Sequence, residues 1–168
     1  MRRTLLPIIG LLAFFAFAGA ASNKKKVPFQ LGLHVETTDR DSAVFSMPVD
    51  VLHPPMRVTV EKMSLLSQRE VKAFYPVAET ADGYGVYFQL DRFGTKSLET
   101  ITTTHRGKFL VVIFNNRPIC RLYIDRPVRD GIIYIPTGIS ADELRTIGLK
   151  LPLINETPEQ MRKRLRTR

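Results

Sequence analysis

Apolar and polar residues alternate in "VPFQLGLHVET" (27–37), the period-two pattern of a half-buried strand. "AVFSMPV" (43–49) predicts a second short strand after a turn at Thr38–Asp41, with Pro48 suited to an edge or a strand end. His53-Pro54-Pro55 breaks the pattern and "RVTVEKM" (57–63) resumes it as a third strand. Ser67-Gln68-Arg69-Glu70 is a Ser-x-x-Glu capping box, predicting a short helix over 68–74 that Pro76 stops. Tyr84–Leu90 reads as a strong strand. Leu98, Ile101 and then Thr104 or His105 fall at helical spacing, so 94–105 is the main helix, stopped by Gly107. Its three successive threonines lower helix propensity, so this helix depends on packing against a sheet.

Phe109–Phe114 is an unbroken apolar run of strand length, predicting a central strand covered on both faces. Asn115-Asn116 suits a two-residue hairpin turn because Asn tolerates positive φ. "RPICRLYI" (117–124) returns as the partner strand, "RPVRDG" (126–131) is a loop, and "IIYI" (132–135) is another strand. Ser140 and Glu143 form a second capping box, opening a helix that runs to about Leu149. From Pro152 the chain is polar, and "PEQMRKRLRTR" is a basic helix or an unstructured tail. Strands interleaved with helices in this order predict an α+β, two-layer sandwich: a mostly antiparallel sheet with two or three helices on one face.

Charge changes the picture once it is located. The 168 residues carry a net charge of +9 from 25 basic and 16 acidic side chains. Ten basic residues sit at the ends: Arg2, Arg3 and Lys24–Lys26, then Arg162, Lys163, Arg164, Arg166 and Arg168. The 15 remaining basic residues and all 16 acidic ones share the stretch between, so the body is near neutral. A nucleic-acid reader carries its basic face on the fold, and no such partner is expected here. The C-terminal cluster of Arg162, Lys163, Arg164, Arg166 and Arg168 is either a solvated end or a tether to anionic lipid headgroups.

The N-terminus has the layout of an export signal. "MRR" is a positive start, an apolar stretch follows, and Ala18-Gly19-Ala20 fits a cleavage pattern. The chain divides into a signal peptide at 1–20, a polar basic lead at 21–26, a folded domain at 27–151 and a tail at 152–168. The expected location is periplasmic or extracellular, with cleavage near Ala20. The alternative is an uncleaved N-terminal membrane anchor, which Lys24–Lys26 on the exported side oppose.

No residue set for catalysis stands out. Asp91 precedes the main helix and reads as its N-cap. His34, His53 and His105 lack metal-type spacing to one another or to Cys120, and His105 suits a helix C-terminus by charge alone. A single cysteine, Cys120, makes no internal disulfide and reads as a buried apolar strand residue. Ser67 and Ser140 are caps without a nucleophile elbow. The glycines form neither a dinucleotide fingerprint nor a phosphate loop. Asn155-Glu156-Thr157 is a glycosylation sequon only where a eukaryotic secretory route applies. The expectation is a non-enzyme, with no catalytic, cofactor-binding or metal residues, no cofactor, and no binding residue singled out.

One series of residues in register resembles a known family. Leu90, Asp91, Gly94, Leu98, Thr102 and Gly107 come first. Val111–Phe114 with the Asn115-Asn116 turn follows, then Val128, Gly131, Ile135, Gly138, Ile139 and Ser140. This series resembles the head subdomain of the first periplasmic domain of SecD, from the SecDF protein-export complex. The resemblance covers about 55 residues directly. It departs in the Asn-Asn turn, where the family has Asp-Gly, and at Cys120-Arg121-Leu122, where the family often has Ser-x-Pro. The resemblance implies a SecD head-like, ferredoxin-like fold in a stand-alone exported relative without SecD's transmembrane helices or proton coupling. It also implies a cell-envelope domain that contacts a translocon component, or unfolded or extended polypeptide during protein export, along sheet edges such as Ile119–Ile124 or the N-terminal strands. The alternative is an envelope scaffold or structural protein that reuses the fold.

Overall fold

The computed structural model describes residues 29–37 and 44–167; the expected signal peptide, the expected basic lead and the turn expected at Thr38–Asp41 lie outside the described residues. Nine strands are described: β1 (Leu31–Thr37), β2 (Ser46–Val51), β3 (Met56–Glu61), β4 (Leu66–Ser67), β5 (Val71–Thr80), β6 (Gly83–Leu90), β7 (Phe109–Phe114), β8 (Arg117–Tyr123) and β9 (Ile132–Ile139). Three α-helices accompany them: α1 (Arg92–Thr104), α2 (Ala141–Gly148) and α3 (Pro158–Arg166). The fold is α+β with antiparallel sheets, as the pattern predicts.

The strands divide between two sheets. The larger runs β2-β3-β1-β7-β8, with β4 beside the first half of β1; the smaller runs β5-β6-β9. The larger sheet bends until its ends meet. Leu52 N–H donates to the Pro118 carbonyl and His53 N–H to the Ile119 carbonyl, both at 3.0 Å, and His53 pairs with Cys120. Val51, Val58, Val60 and Val111 fill the small core inside that bend. The main core lies on the opposite face, where β1, β7 and β8 meet β6, β9, α1 and α2 through Leu33, Val112, Phe114, Phe88, Ile135, Leu98 and Ile147. Phe29 joins the layers by stacking on Phe88 at 5.8 Å and Phe114 at 5.6 Å. β7 is the central strand expected, between β1 and β8.

Local chemistry sets the element ends. Asp91 caps α1 as predicted: its Oδ1 accepts from Gly94 N–H at 2.8 Å. Asn115 and Asn116 take φ of 47° and 62°, the left-handed pair a tight hairpin needs. Both capping boxes form.

The helix expected over 68–74 is not there. Ser67 and Glu70 cap only a single 3-10 turn, Gln68–Glu70, and Val71 starts β5. The reason is tertiary: Phe74 and Tyr75 pair with Phe88 and Tyr87 of β6, and that pairing buries Phe74 in the core. Pro76 is tolerated because β5 is an edge strand, and a bulge follows it. β9 is also longer than its apolar core, running through Pro136-Thr137-Gly138 to Ile139, and it joins β6 rather than β8.

Candidate functional site

β8 and β9 end different sheets, and they face each other across a wedge. At its closed end, a Cβ on Gly138 would sit 2.9 Å from the Ile119 Cβ, and φ there is +94°. Only glycine allows that approach. Arg117 Nη2 reaches the Gly138 carbonyl at 3.5 Å. Toward Tyr123 and Ile132 the wedge opens into a cleft of about 300 Å³. Leu33, Leu98, Leu110, Leu122 and Ile133 line its floor, with Tyr123 and Tyr134 on its rim.

The far wall is the 124–131 connection, and α1 holds it in place. One helical stripe, Thr95, Glu99 and Thr102, faces it, and Arg106 in the turn past the helix end continues the line. Arg106 Nε donates to the Asp125 carbonyl at 2.9 Å, and Val128 N–H donates to the buried Thr102 hydroxyl at 2.9 Å. Glu99 pairs with Arg129 at 3.1 Å. Its carboxyl is held below its ordinary value, chiefly by the hydrogen bond from Lys96. Gly131, at φ +69°, lies where any Cβ would strike the Thr95 side chain. The cleft therefore has fixed walls, the condition for binding without a large ordering cost.

Two charged pairs, Arg121 with Glu36 and Arg117 with Glu143, are fixed beside the cleft. Arg121 Nη1 donates to both Glu36 carboxylate oxygens, at 3.1 and 2.9 Å, and its guanidinium lies 4.1 Å from the Phe109 ring centre. The Phe109 ring in turn packs on Tyr123 at 5.2 Å. Glu143 closes the narrow end. It accepts from Asn115 Nδ2 at 2.8 Å, from Arg117 Nη2 at 2.7 Å to each oxygen, and from Ser140 N–H at 2.9 Å. Burial alone would raise the Glu143 pKa, but the hydrogen bonds from Ser140, Asn115 and Arg117 outweigh it and the pKa is lowered. Burial pushes the Cys120 thiol up to about 12, so at neutral pH it is an unreactive core residue.

The other residues considered for chemistry do not converge. His34 is buried, its Nδ1 2.8 Å from the Glu61 carbonyl; His53 lies 3.5 Å from Asp82; His105 is the C-cap of α1. Among the described residues, no group of three His, Cys, Asp or Glu side chains is placed to hold a metal. No helix among them is long and apolar enough to cross a membrane.

The C-terminal basic residues separate into two roles. Arg162, Lys163 and Arg166 are exposed on α3, and Arg168 lies outside the described residues. Arg164 turns inward and cannot serve a lipid tether. It forks onto Glu156 at 2.8 and 2.9 Å and donates to the Gly148 carbonyl at 2.7 Å.

Two of the solved structures that this chain is similar to in fold are of SecDF. One is of a membrane component, SecDF, that enhances protein export; it matches with a TM-score of 0.51 and 15% identity over 70% of this chain and 59% of that one. The other is a crystal structure of SecDF in a super-membrane-facing form, with the same TM-score and identity over 70% of this chain and 17% of that one. The chain has a SecD-like fold. No family model and no curated protein matches it by sequence. Several residues of the motif series read in the sequence fall on the parts that shape the cleft: Leu98 in the floor, Thr102 and Gly131 on the far wall, and Gly138 at the closed end. The stripe of α1 facing the connection went unread in the sequence. Its signal is there, as polar residues at 95, 99 and 102 with helical spacing and Arg106 just past the helix end.

Proposed function

We propose that this chain is a non-catalytic, exported binding domain of the cell envelope, which holds unfolded or extended polypeptide in connection with protein export. The observation that carries this reading is the cleft between β8 and β9. It pairs an apolar floor with two terminal strands, and its walls are fixed. An extended segment could lay alternate side chains on the floor and pair its backbone along a strand, the β-augmentation mode. The SecD-like fold supports the link to export. At Pro118–Cys120 the β8 edge already carries Leu52 and His53, so the contact falls on the Arg121–Tyr123 half and on β9. The exposed Arg162, Lys163 and Arg166 suit the same domain to an anionic membrane surface.

The test is titration of the mature domain into a fluorescently labelled, unfolded exported protein, read by anisotropy. Tyr123 is 59% exposed and Tyr134 39%, so their truncation leaves the fold intact. Tyr123→Ser and Tyr134→Ser should each weaken binding by roughly five- to thirtyfold, the range of an aromatic contact residue. No binding at high micromolar concentration, or equal binding by the two variants and the wild type, overturns the reading.

A further inference from the structure

Three tyrosines stand in one row across the smaller sheet. Tyr75 of β5 pairs with Tyr87 of β6, and Tyr87 pairs with Tyr134 of β9. Their strand neighbours Phe74, Val86, Phe88, Ile133 and Ile135 belong to the main core, so alternation turns the tyrosines to the other face. There they are 53%, 38% and 39% exposed. The rings are held in place. Tyr87 and Tyr134 stack with centres 4.5 Å apart, and a Cβ on Gly85 would meet the Tyr134 hydroxyl at 3.0 Å. Gly85, Gln89 and Ile132 share this face by the same alternation, and none of them is charged. No hydrogen bond ties the three hydroxyls or the Gln89 amide to another described residue.

Beyond Gln89 the face runs into a groove of about 870 Å³. Its lining sets Lys72, Arg92 and Lys96 against Asp91, Glu99 and Asp130, so the groove is neutral as a whole, and Phe93 stands on it 79% exposed.

These features select an occupant. The row bears no charge and the groove balances its own, so neither place attracts an anionic lipid or a nucleic acid. The three rings leave roughly 300 Å² open at those exposures, well below the ~800 Å² per partner of a stable protein interface. β6 is paired on both sides, so an extended polypeptide laid on this face gains no main-chain hydrogen bonds from it. A sugar chain alternates C–H groups with hydroxyls, which matches apolar rings carrying hydroxyls beside an amide with two donors and an acceptor. The row also repeats at the strand spacing of about 4.8 Å, close to the length of one sugar unit in an extended β-1,4-linked chain.

We propose that the Tyr75–Tyr87–Tyr134 row and the groove beside Gln89 bind a neutral, β-linked polysaccharide. The chain lies across the strands, one sugar unit to each tyrosine, and continues past Gln89 into the groove. This site is additional to the polypeptide cleft between β8 and β9, and the two meet at Tyr134.

The experiment titrates cellohexaose and chitohexaose into the mature chain by calorimetry. The chain has five tyrosines and no tryptophan, so tyrosine emission gives a second readout. One or both sugars should bind saturably, with half-saturation below about 1 mM. Tyr75→Ala and Tyr87→Ala should each weaken that binding at least tenfold, and Gln89→Ala severalfold. Tyr87→Phe keeps the ring and should fall between Tyr87→Ala and the wild type. Tyr75 lies on an edge strand and is half exposed, so Tyr75→Ala carries the test if Tyr87→Ala unfolds. Tyr123→Ser should leave sugar binding unchanged, and Tyr75→Ala should leave capture of the unfolded exported protein unchanged, so failure of one site is distinguishable from failure of the other. No saturable binding of either sugar, wild-type affinity in Tyr75→Ala and Gln89→Ala, or binding confined to a charged polysaccharide such as heparin overturns the proposal. Loss of polypeptide capture in Tyr75→Ala without any sugar binding assigns the face to polypeptide and overturns it as well.

Discussion

Replacing Glu143 should loosen the closed end of the wedge by a measurable amount. Its side chain is 18% exposed, and Arg117 opposite is 44% exposed. Truncation to Ala removes the reciprocal half of the α2 capping box, which contributes about 0.5–1 kcal/mol. It also removes the hydrogen bonds from Asn115 and Arg117. A buried charge-assisted bond contributes about 1.5–3 kcal/mol, but solvent at Arg117 brings that pair toward the ~1 kcal/mol of an exposed one. The expected loss for Glu143→Ala is about 2 kcal/mol, a drop of roughly 4–8 °C in Tm for a domain this size. Glu143→Gln keeps the shape and loses the charge, and should cost about half as much. The pH dependence adds an independent check. The folded pKa of Glu143 lies below its ordinary value of 4.5. The carboxylate's contribution is therefore complete above the unfolded pKa and disappears as pH falls through the lowered folded value. Urea unfolding at neutral pH should show the wild type more stable than Glu143→Gln, and the gap should shrink toward zero in acid. A Glu143→Ala variant within 0.5 kcal/mol of wild type, or a Glu143→Gln gap that persists undiminished below the folded pKa, refutes this account.

Gly138→Ala should destabilise by about 1–3 kcal/mol, because the new Cβ meets Ile119 and the backbone is left-handed there; thermal melts check this, and a neutral effect would mean that the two strands separate freely. With its thiol pKa raised to about 12, Cys120 should resist a thiol-reactive dye in the native state and react fully in denaturant, as absorbance will show. Charge reversal at Arg162, Lys163 and Arg166 together should reduce cosedimentation with anionic phosphatidylglycerol vesicles by tenfold or more and leave Tm within a few degrees. Reversal of Arg164 should instead lower Tm, since its guanidinium is bound to Glu156 and Gly148.

Elements set by local chemistry were legible in the sequence. Asp91 capping α1, the Asn115-Asn116 turn, the Ser140–Glu143 box and the apolar run of β7 each depend on neighbours within a few residues. The pairings between distant residues were not legible. Ser67–Glu70 carries a true capping signal, yet the strand after it is dictated by β6, and no local pattern announces that partner. β9 reads as a strand, but its choice of β6 over β8 follows from the 124–131 connection pinned to α1. The cleft therefore stayed hidden, although several of the residues that shape it belong to the motif series. Arg164 sits in a run of like charges, and nothing in that run separates it from Arg162 or Lys163. Only the position of Glu156 and the end of α2 turns it inward.

Because β7 presents Val111 to the small core and Val112 to the large one, the two cores share a single wall. Neither can dissolve without stripping cover from the other, so the bent sheet and the helical layer should lose their structure in one concerted transition. A destabilising change deep in either core will then be registered by probes placed in both.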